Sequence, residues 1–413
     1  MRRHAYTHHV GIWNQAKQAW HKLRASWSIS DPKLMELFNL GPQNYANVSV
    51  TEYSALGLSA FYRAVALISS TIASLPLRTQ REVDGTRTRV SSFLDNPGGV
   101  YGPTRYEWTE TVLLHLLLHG NCYLLHVYNG AGSIVALVPV HPLAVTPDWE
   151  TDEHGRRTGR KVFDVTLDDG TRPRFTQDQM THIPALSLDG LQGVSLIWIA
   201  RNSLGTAMAG DNAAAKLFAS GPLYGGIATP DDDMEEDEAK VVKQSLNANA
   251  GGWMNAGEIA FINRKIKFQP WSMSLEDAQF LQSRQFQIEE IARWTGVPPH
   301  LLMQTEKQTS WGTGVAEQNR GLSRYTLSAW TSRIEQRLSR LLPAPRFVEF
   351  DYAGLLKPAP EQEIPLLIQQ VQAGLMTVNE ARRIRGMDPI EGGDELAGPQ
   401  QVSRETQQEA VPA

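Results

Sequence analysis

Twice in the first third of the chain the apolar residues change their spacing, and a helix breaker marks each change. From Ser54 to Ser74 they recur at helical intervals (Leu58, Phe61, Val65, Leu67, Ile68, Ile72) until Leu75-Pro76. A strand-like run, Leu77 to Val83, follows, then an Asp84-Gly85 turn signal and a second strand. The helical pattern returns behind Pro103-Thr104, runs from Arg105 to His119 and stops at Gly120. Tyr123 to Tyr128, a turn at Asn129-Gly130 and Ile134 to Val140 then read as another hairpin. Shorter strands are expected around Lys161 to Leu167 and Pro173 to Phe175, flanking Asp169-Gly170. The first half therefore reads as mixed α+β.

After Gly190 the pattern changes to a long Ala-rich helix, Val194 to Phe218, closed by Ser220-Gly221-Pro222. An acidic block from Asp231 to Glu238 follows, and Thr229 as N-cap with Pro230 in the first turn predicts a solvated helix start there. Gly251-Gly252-Trp253 separates this helix from strand-like runs at Glu258 to Ile262 and Lys265 to Phe268. Ser274 opens a capping box, and helix formers continue to Trp294, ahead of Gly296 and Pro298-Pro299. Thr305 to Gly314 reads as a polar loop and Val315 to Leu342 as another long helix ending at Pro343. The basic, Trp-bearing first 50 residues (Trp13, Trp20, Trp27) read as a docking arm, and the Gln/Glu-rich tail as disordered. No internal repeat is read.

Several function classes are excluded at this level. Lys plus Arg number 39 against 44 Asp plus Glu, a net charge of −5, which argues against tight nonspecific gripping of nucleic acid. No stretch approaches the roughly 18 apolar residues of a membrane span, and no secretory signal opens the chain, so a soluble, non-exported protein is expected. The single cysteine, Cys122, sits in an apolar run and reads as a buried, inert thiol in a protein made in a reducing compartment. The Walker, Gly-x-Ser-x-Gly and His-Glu-x-x-His signatures are absent, which speaks against an ordinary ATPase, hydrolase or zinc peptidase. His115 and His119 are four apart on a helix, a metal-compatible spacing, but residue 116 is Leu and no third ligand is evident, so they read as core or interface histidines. His4, His8 and His9 read as an accident of the N-terminus, and Glu289 and Glu290 project about 100° apart on a helix rather than converging. No catalytic, cofactor or metal site is expected.

Five segments carry a resemblance, one central, two upstream and two downstream. The run from Glu276 through Ile291-Ala292-Arg293-Trp294-Thr295-Gly296-Val297-Pro298-Pro299 to Leu302 resembles the portal, or head-to-tail connector, proteins of tailed double-stranded DNA bacteriophages. Ala73-Ser74-Leu75-Pro76-Leu77 and Leu117 to Tyr123 resemble that family's early helix–hairpin units. Thr377 to Arg383 and Glu391-Gly392-Gly393-Asp394 resemble its C-terminal signature. The pattern departs over the first 50 residues and at Leu355-Leu356-Lys357-Pro358-Ala359-Pro360.

The resemblance implies an α+β ring subunit: N-terminal arm 1–50, mixed α/β wing 51–190, stem helices 191–219 and 273–300, and a small α/β clip 220–272. A tunnel loop would occupy 303–314, a wing helix and strand 315–350, a helical crown 351–397 and a disordered tail 398–413. It further implies a homo-oligomeric ring, usually a dodecamer, at one capsid vertex of the virion, made in the host cytoplasm. A terminase motor would drive double-stranded DNA through it loosely, tail connectors would dock on it, and the major capsid protein would surround it, with no cofactor. Gln304, Lys307, Gln308, Thr309, Ser310 and Trp311 are the candidates for DNA contact in the channel, Lys307 as a transient phosphate contact, against an ordinary surface loop. Trp253 and Trp271 in the clip are candidates for subunit or partner contact, against plain core packing. The alternative function is an enzyme or small-ligand module with an unrecognised pocket.

Overall fold

The structure, a computed structural model, describes residues 44–46, 48–167, 169–220, 226–230, 240, 266–270, 276–303, 318, 320–355 and 360–396. The chain divides into two units, one ending at Phe350 and the other beginning at Asp351.

The first unit opens with α1 (Glu52–Leu56) and α2 (Ser59–Ser74). The single helix expected from Ser54 onward is thus two. Thr51 and Ser54 form a capping box that starts α1 at Glu52, and Gly57 ends it after one turn. Strands β1 (Leu77–Val83) and β2 (Thr86–Arg89) pair across a turn in which Asp84 and Gly85 both have positive φ, the requirement that an Asp-Gly pair meets. Helix α3 (Arg105–His119) has the Thr104–Glu107 capping box at its start and left-handed Gly120 at its end, as expected. Its buried Val112, Leu113 and Leu116 serve the face that packs on α2, whose Phe61, Val65, Ile68 and Ile72 are also buried.

Beyond α3 come β3 (Asn121–Tyr128), β4 (Ile134–Val140), β5 (Val145–Thr151), β6 (Arg157–Val165), β7 (Arg174–Thr176) and β8 (Met180–Pro184). They form two three-stranded antiparallel sheets, ordered β4-β3-β8 and β5-β6-β7. Strand β3 is central and its first six residues are all buried, so it shows no inside–outside alternation. Tyr123, Leu125, Val140, Val145, Phe163, Val165, Phe175 and Met180, drawn from both sheets, make one core. Cys122 is fully buried and its thiol is pushed far up by burial, in keeping with an inert thiol. Strands β5 and β8 are absent from the sequence reading. β5 carries Pro147 and the polar run Asp148-Trp149-Glu150, which a strand tolerates because β5 is an edge strand.

Trp108 joins α3 to this sheet: its fully buried indole Nε1 donates to the Leu137 carbonyl at 2.7 Å. Trp108→Phe leaves that carbonyl unpaired and a small void behind, so a loss of about 2 kcal/mol is expected in denaturant unfolding. An unchanged midpoint would mean that the hydrogen bond contributes nothing net.

Helix α4 (Leu196–Ser220) starts behind Ser195, whose Oγ accepts from Trp198 N. Strands β9 (Gly226–Pro230) and β10 (Ile266–Pro270) pair antiparallel, Thr229 opposite Lys267 and Pro230 opposite Ile266. This corrects the helix start assigned to Thr229 and Pro230: both belong to a strand end, where a partner strand overrides the capping signal. The acidic block from 231 and the run 258–262 lie outside the described residues.

Helix α5 (Glu276–Thr295) is followed by a 3-10 turn, Pro299–Leu302. Among the described residues of the long helix expected over 315–342, a π-helical segment, Leu322–Leu327, interrupts the α-helix ahead of α6 (Ser328–Ser339). Strand β11 (Arg346–Phe350) then returns to β1, pairing Leu77 with Phe350 and completing the sheet β11-β1-β2. α6 packs on β11 and satisfies its backbone, with Val348 N donating to Ser339 Oγ at 3.0 Å and Phe350 N to Glu335 Oε1 at 2.8 Å.

The second unit holds α7 (Pro360–Gln372) and α8 (Val378–Ile384). Ile364, Leu367, Ile368 and Val371 line a shallow groove with Val378 and Ala381. Buried Asn379 accepts from Ile390 N at 2.8 Å and donates to its carbonyl at 3.0 Å. A Cβ on Gly393 would stand 2.5 Å from Asn379 Oδ1, so the two C-terminal sequence blocks meet at one close contact.

Candidate functional site: the long helix pair and the root of its loop

Helices α4 and α5 run antiparallel, since Ser203 meets Glu290 and Trp294 while Gly210 meets Gln287 further along. The Ser203 hydroxyl donates to Glu290 Oε2 at 2.8 Å and accepts from Trp294 Nε1 at 3.2 Å. Gly210 admits close approach, its absent Cβ lying 3.4 Å from Gln287 Nε2. Arg293 reaches Glu290 at 2.9 Å and Glu289 at 3.7 Å, so these two acids serve ion pairs along one helix. At the far side of α4, buried Asn44 donates to the Arg201 carbonyl at 3.3 Å and fills the space that a Gly205 side chain would need.

Described residues on either side of 304–317 are anchored. Before it, Arg63 Nε of α2 donates to the Leu301 carbonyl at 3.4 Å, and Leu302 is buried. After it, Thr326 in the π-helical segment donates to the Gly296 carbonyl at 2.7 Å. Gly296 ends α5 with φ 71°, and a Cβ there would stand 2.9 Å from Thr326 Oγ1. The sequence reading found Gly296 as a stop signal but not its partner, because the two meet only when α5 and the segment before α6 pack.

Gln304, Lys307, Gln308, Thr309, Ser310 and Trp311 themselves lie outside the described residues, as do Trp253 and Trp271. On the helix pair, Trp198 is 52% and Phe286 is 54% exposed, and each carries an arginine over its ring, Arg201 and Arg293. These two aromatics were not singled out from sequence, since their periodicity is that of any half-buried helix.

Residues 59–386 match the family model described as Phage portal protein. The chain belongs to the phage portal protein family. The probable portal protein of Streptomyces phage phiC31 is 34% identical over 379 residues, covering 89% of this chain and 82% of that protein. The portal protein of Enterobacteria phage HK97 is 32% identical over 365 residues, covering 84% and 82%. Among solved structures, an HK97-family phage portal protein from Corynebacterium diphtheriae superimposes with a TM-score of 0.56 at 18% identity, over 76% of this chain and all of that one. A chain from the neck of a native gene transfer agent particle, computed with C12 symmetry, gives 0.54 at 21% identity, over 88% and 100%. In this portal chain the α+β expectation holds, with antiparallel sheets beside a long helix pair.

Proposed function

We propose that the chain is the repeating subunit of a closed ring at one vertex of a phage capsid, a structural part of the virion rather than an enzyme. The long antiparallel pair α4–α5, with anchored residues on either side of 304–317, supports this reading most directly. It gives a rigid strut from which residues 304–314 would reach the channel. The wing would be 51–190 with 315–350, the clip 220–272 and the crown 351–397. In the ring, double-stranded DNA would pass Lys307, Gln308, Thr309, Ser310 and Trp311, driven by a separate terminase. The clip, with Trp253 and Trp271, would meet neighbouring subunits, terminase and tail connectors, and the major capsid protein would surround the wing. Net charge −5 suits a passage that must release its cargo, because each neutralised phosphate adds salt-dependent grip. The subunit would be made in the host cytoplasm before entering the virion.

Native mass spectrometry with negative-stain imaging of the full chain tests the ring. A closed assembly of about twelve copies is expected, the symmetry of the related neck. A strict monomer or dimer across protein concentration and salt would overturn it. Replacing Lys307, Gln308, Thr309, Ser310 and Trp311 together by Gly and Ser should leave the ring mass unchanged and lower the fraction of DNA-filled heads when the variant complements a portal-deficient phage. Normal filling would take the loop out of the DNA path.

A further inference from the structure

Away from the helix pair, four groups from three segments converge. Glu52 opens α1, His115 and His119 lie one turn apart at the end of α3, and His141 caps the short turn between β4 and β5. One nitrogen each of His119 and His141 and one carboxylate oxygen of Glu52 all lie within 4.8 Å of one another. The ring centroids are 5.0 Å apart for His119 and His141, 5.5 Å for His115 and His141, and 6.4 Å for His115 and His119. Two imidazoles held by one ion at about 2.0–2.1 Å in tetrahedral geometry would have centroids about 5 Å apart. The sequence offered only the α3 pair; the fold supplies the carboxylate and the third imidazole.

Two buried polar atoms of this cluster, Glu52 Oε1 and His115 Nδ1, lack a hydrogen bond. Glu52 Oε1 does lie against His119 Nε2, but not in hydrogen-bonding geometry, and His141 Nε2 stands 4.0 Å from Glu52 Oε2. Burial raises the Glu52 carboxyl to about 7 and lowers His141 to about 4. Burial first, then the neighbouring His141, lowers His115 to about 3 and drives His119 well down. A divalent cation would give the buried Glu52 carboxylate oxygen a partner and take the lone pairs of the imidazoles that face it.

We propose that Glu52, His119 and His141 bind a divalent transition-metal ion. Two imidazoles with one carboxylate suit zinc, cobalt or nickel and do not suit calcium or magnesium, which take oxygen. Binding through His141 Nε2 puts the ring proton on Nδ1 and gives up its 3.4 Å contact with Leu143 N. The ion staples α1 and the β4–β5 connection to the end of α3, where the chain turns into the central strand β3. This role is separate from the channel and does not depend on ring formation.

The test uses the full chain with His4, His8 and His9 replaced by Ala, so that the N-terminal histidines cannot contribute, stripped with a chelator and titrated with ZnCl2 or CoCl2. One Zn2+ per chain is expected, with the intense visible bands of four-coordinate Co2+ and a rise in melting temperature on Zn2+ addition. Glu52→Gln and His141→Ala should each weaken Zn2+ binding at least about tenfold, the range in which even outer-shell partners act. His154→Ala, at an exposed site, should change nothing. His141 is partly exposed, so its truncation tests the site even if replacing His119 prevents folding. Absence of Zn2+ binding once the N-terminal histidines are gone would overturn the proposal, as would equal affinity in Glu52→Gln and His141→Ala.

Discussion

Gly120→Ala is expected to cost about 4 kcal/mol of stability, a large share of the roughly 5–15 kcal/mol that holds a domain folded. Two costs combine. Gly120 has φ 71°, which a residue with a Cβ occupies only at about 1–3 kcal/mol. An added Cβ would also stand 2.2 Å from the Val194 carbonyl oxygen and 2.9 Å from Ser195 N, and forcing apart packed backbone adds about 1–3 kcal/mol. The junction cannot yield easily. Asn121 spends all four hydrogen-bonding positions there: it donates to His119 O at 3.0 Å and Gly193 O at 2.8 Å, and accepts from Gly193 N at 2.7 Å and His182 Nε2 at 2.9 Å. Ser195 Oγ donates to Leu118 O at 2.6 Å, and Ala185 N to Gly120 O at 2.8 Å. Gly85→Ala separates the two costs, because Gly85 has φ 76° but nothing within 4 Å of its missing Cβ; a loss of about 1–2 kcal/mol is expected there. Equal urea midpoints for the two variants would show that the contact with Val194 relaxes freely.

Trp198→Asp and Phe286→Asp should abolish ring formation while leaving the folded chain intact. Each side chain is about half exposed on the helix pair of the isolated subunit, so replacing it should shift unfolding by no more than about 0.5 kcal/mol. In a closed ring the same surface recurs at every contact, and covering an unpaired carboxylate there costs several kcal/mol each time. Native mass spectra should then show monomers where rings are expected of the parent, with matched circular dichroism. Rings of unchanged mass would mean that these aromatics face the lumen or solvent. The subunit contacts would then be sought at exposed Tyr62, 59%, and Tyr325, 74%.

The parts of the fold that were legible are those with local causes. Arg105 to His119 is bounded by a Thr104–Glu107 box and by Gly120, and both devices act within one turn. Leu77–Val83 and Ile134–Val140 appear with the expected ends, one beside an Asp-Gly turn and the other beside a loop in which Asn129 Oδ1 accepts from Ala131 N and Ser133 N. The misses share a different cause. Pro147 hid β5, which survives as an edge; Thr229-Pro230 imitates a helix start, yet pairs with Ile266 and Lys267; and Gly57 ends α1 inside an apolar pattern that continues across it. The candidate loop residues were legible only through the family resemblance, and Gly296 as a stop without its partner Thr326.

Taken alone, the chain of residues determined which segments are helix or strand and where most of them stop, because period and capping act over a few residues. Its ordered blocks also identified the family. Tertiary structure alone decided that β1 closes its sheet with β11, since register between distant strands is set by shared burial and not by any turn. It alone brought Glu52 and His141 to His119, because a ligand cluster depends on where three separately formed elements end once they pack.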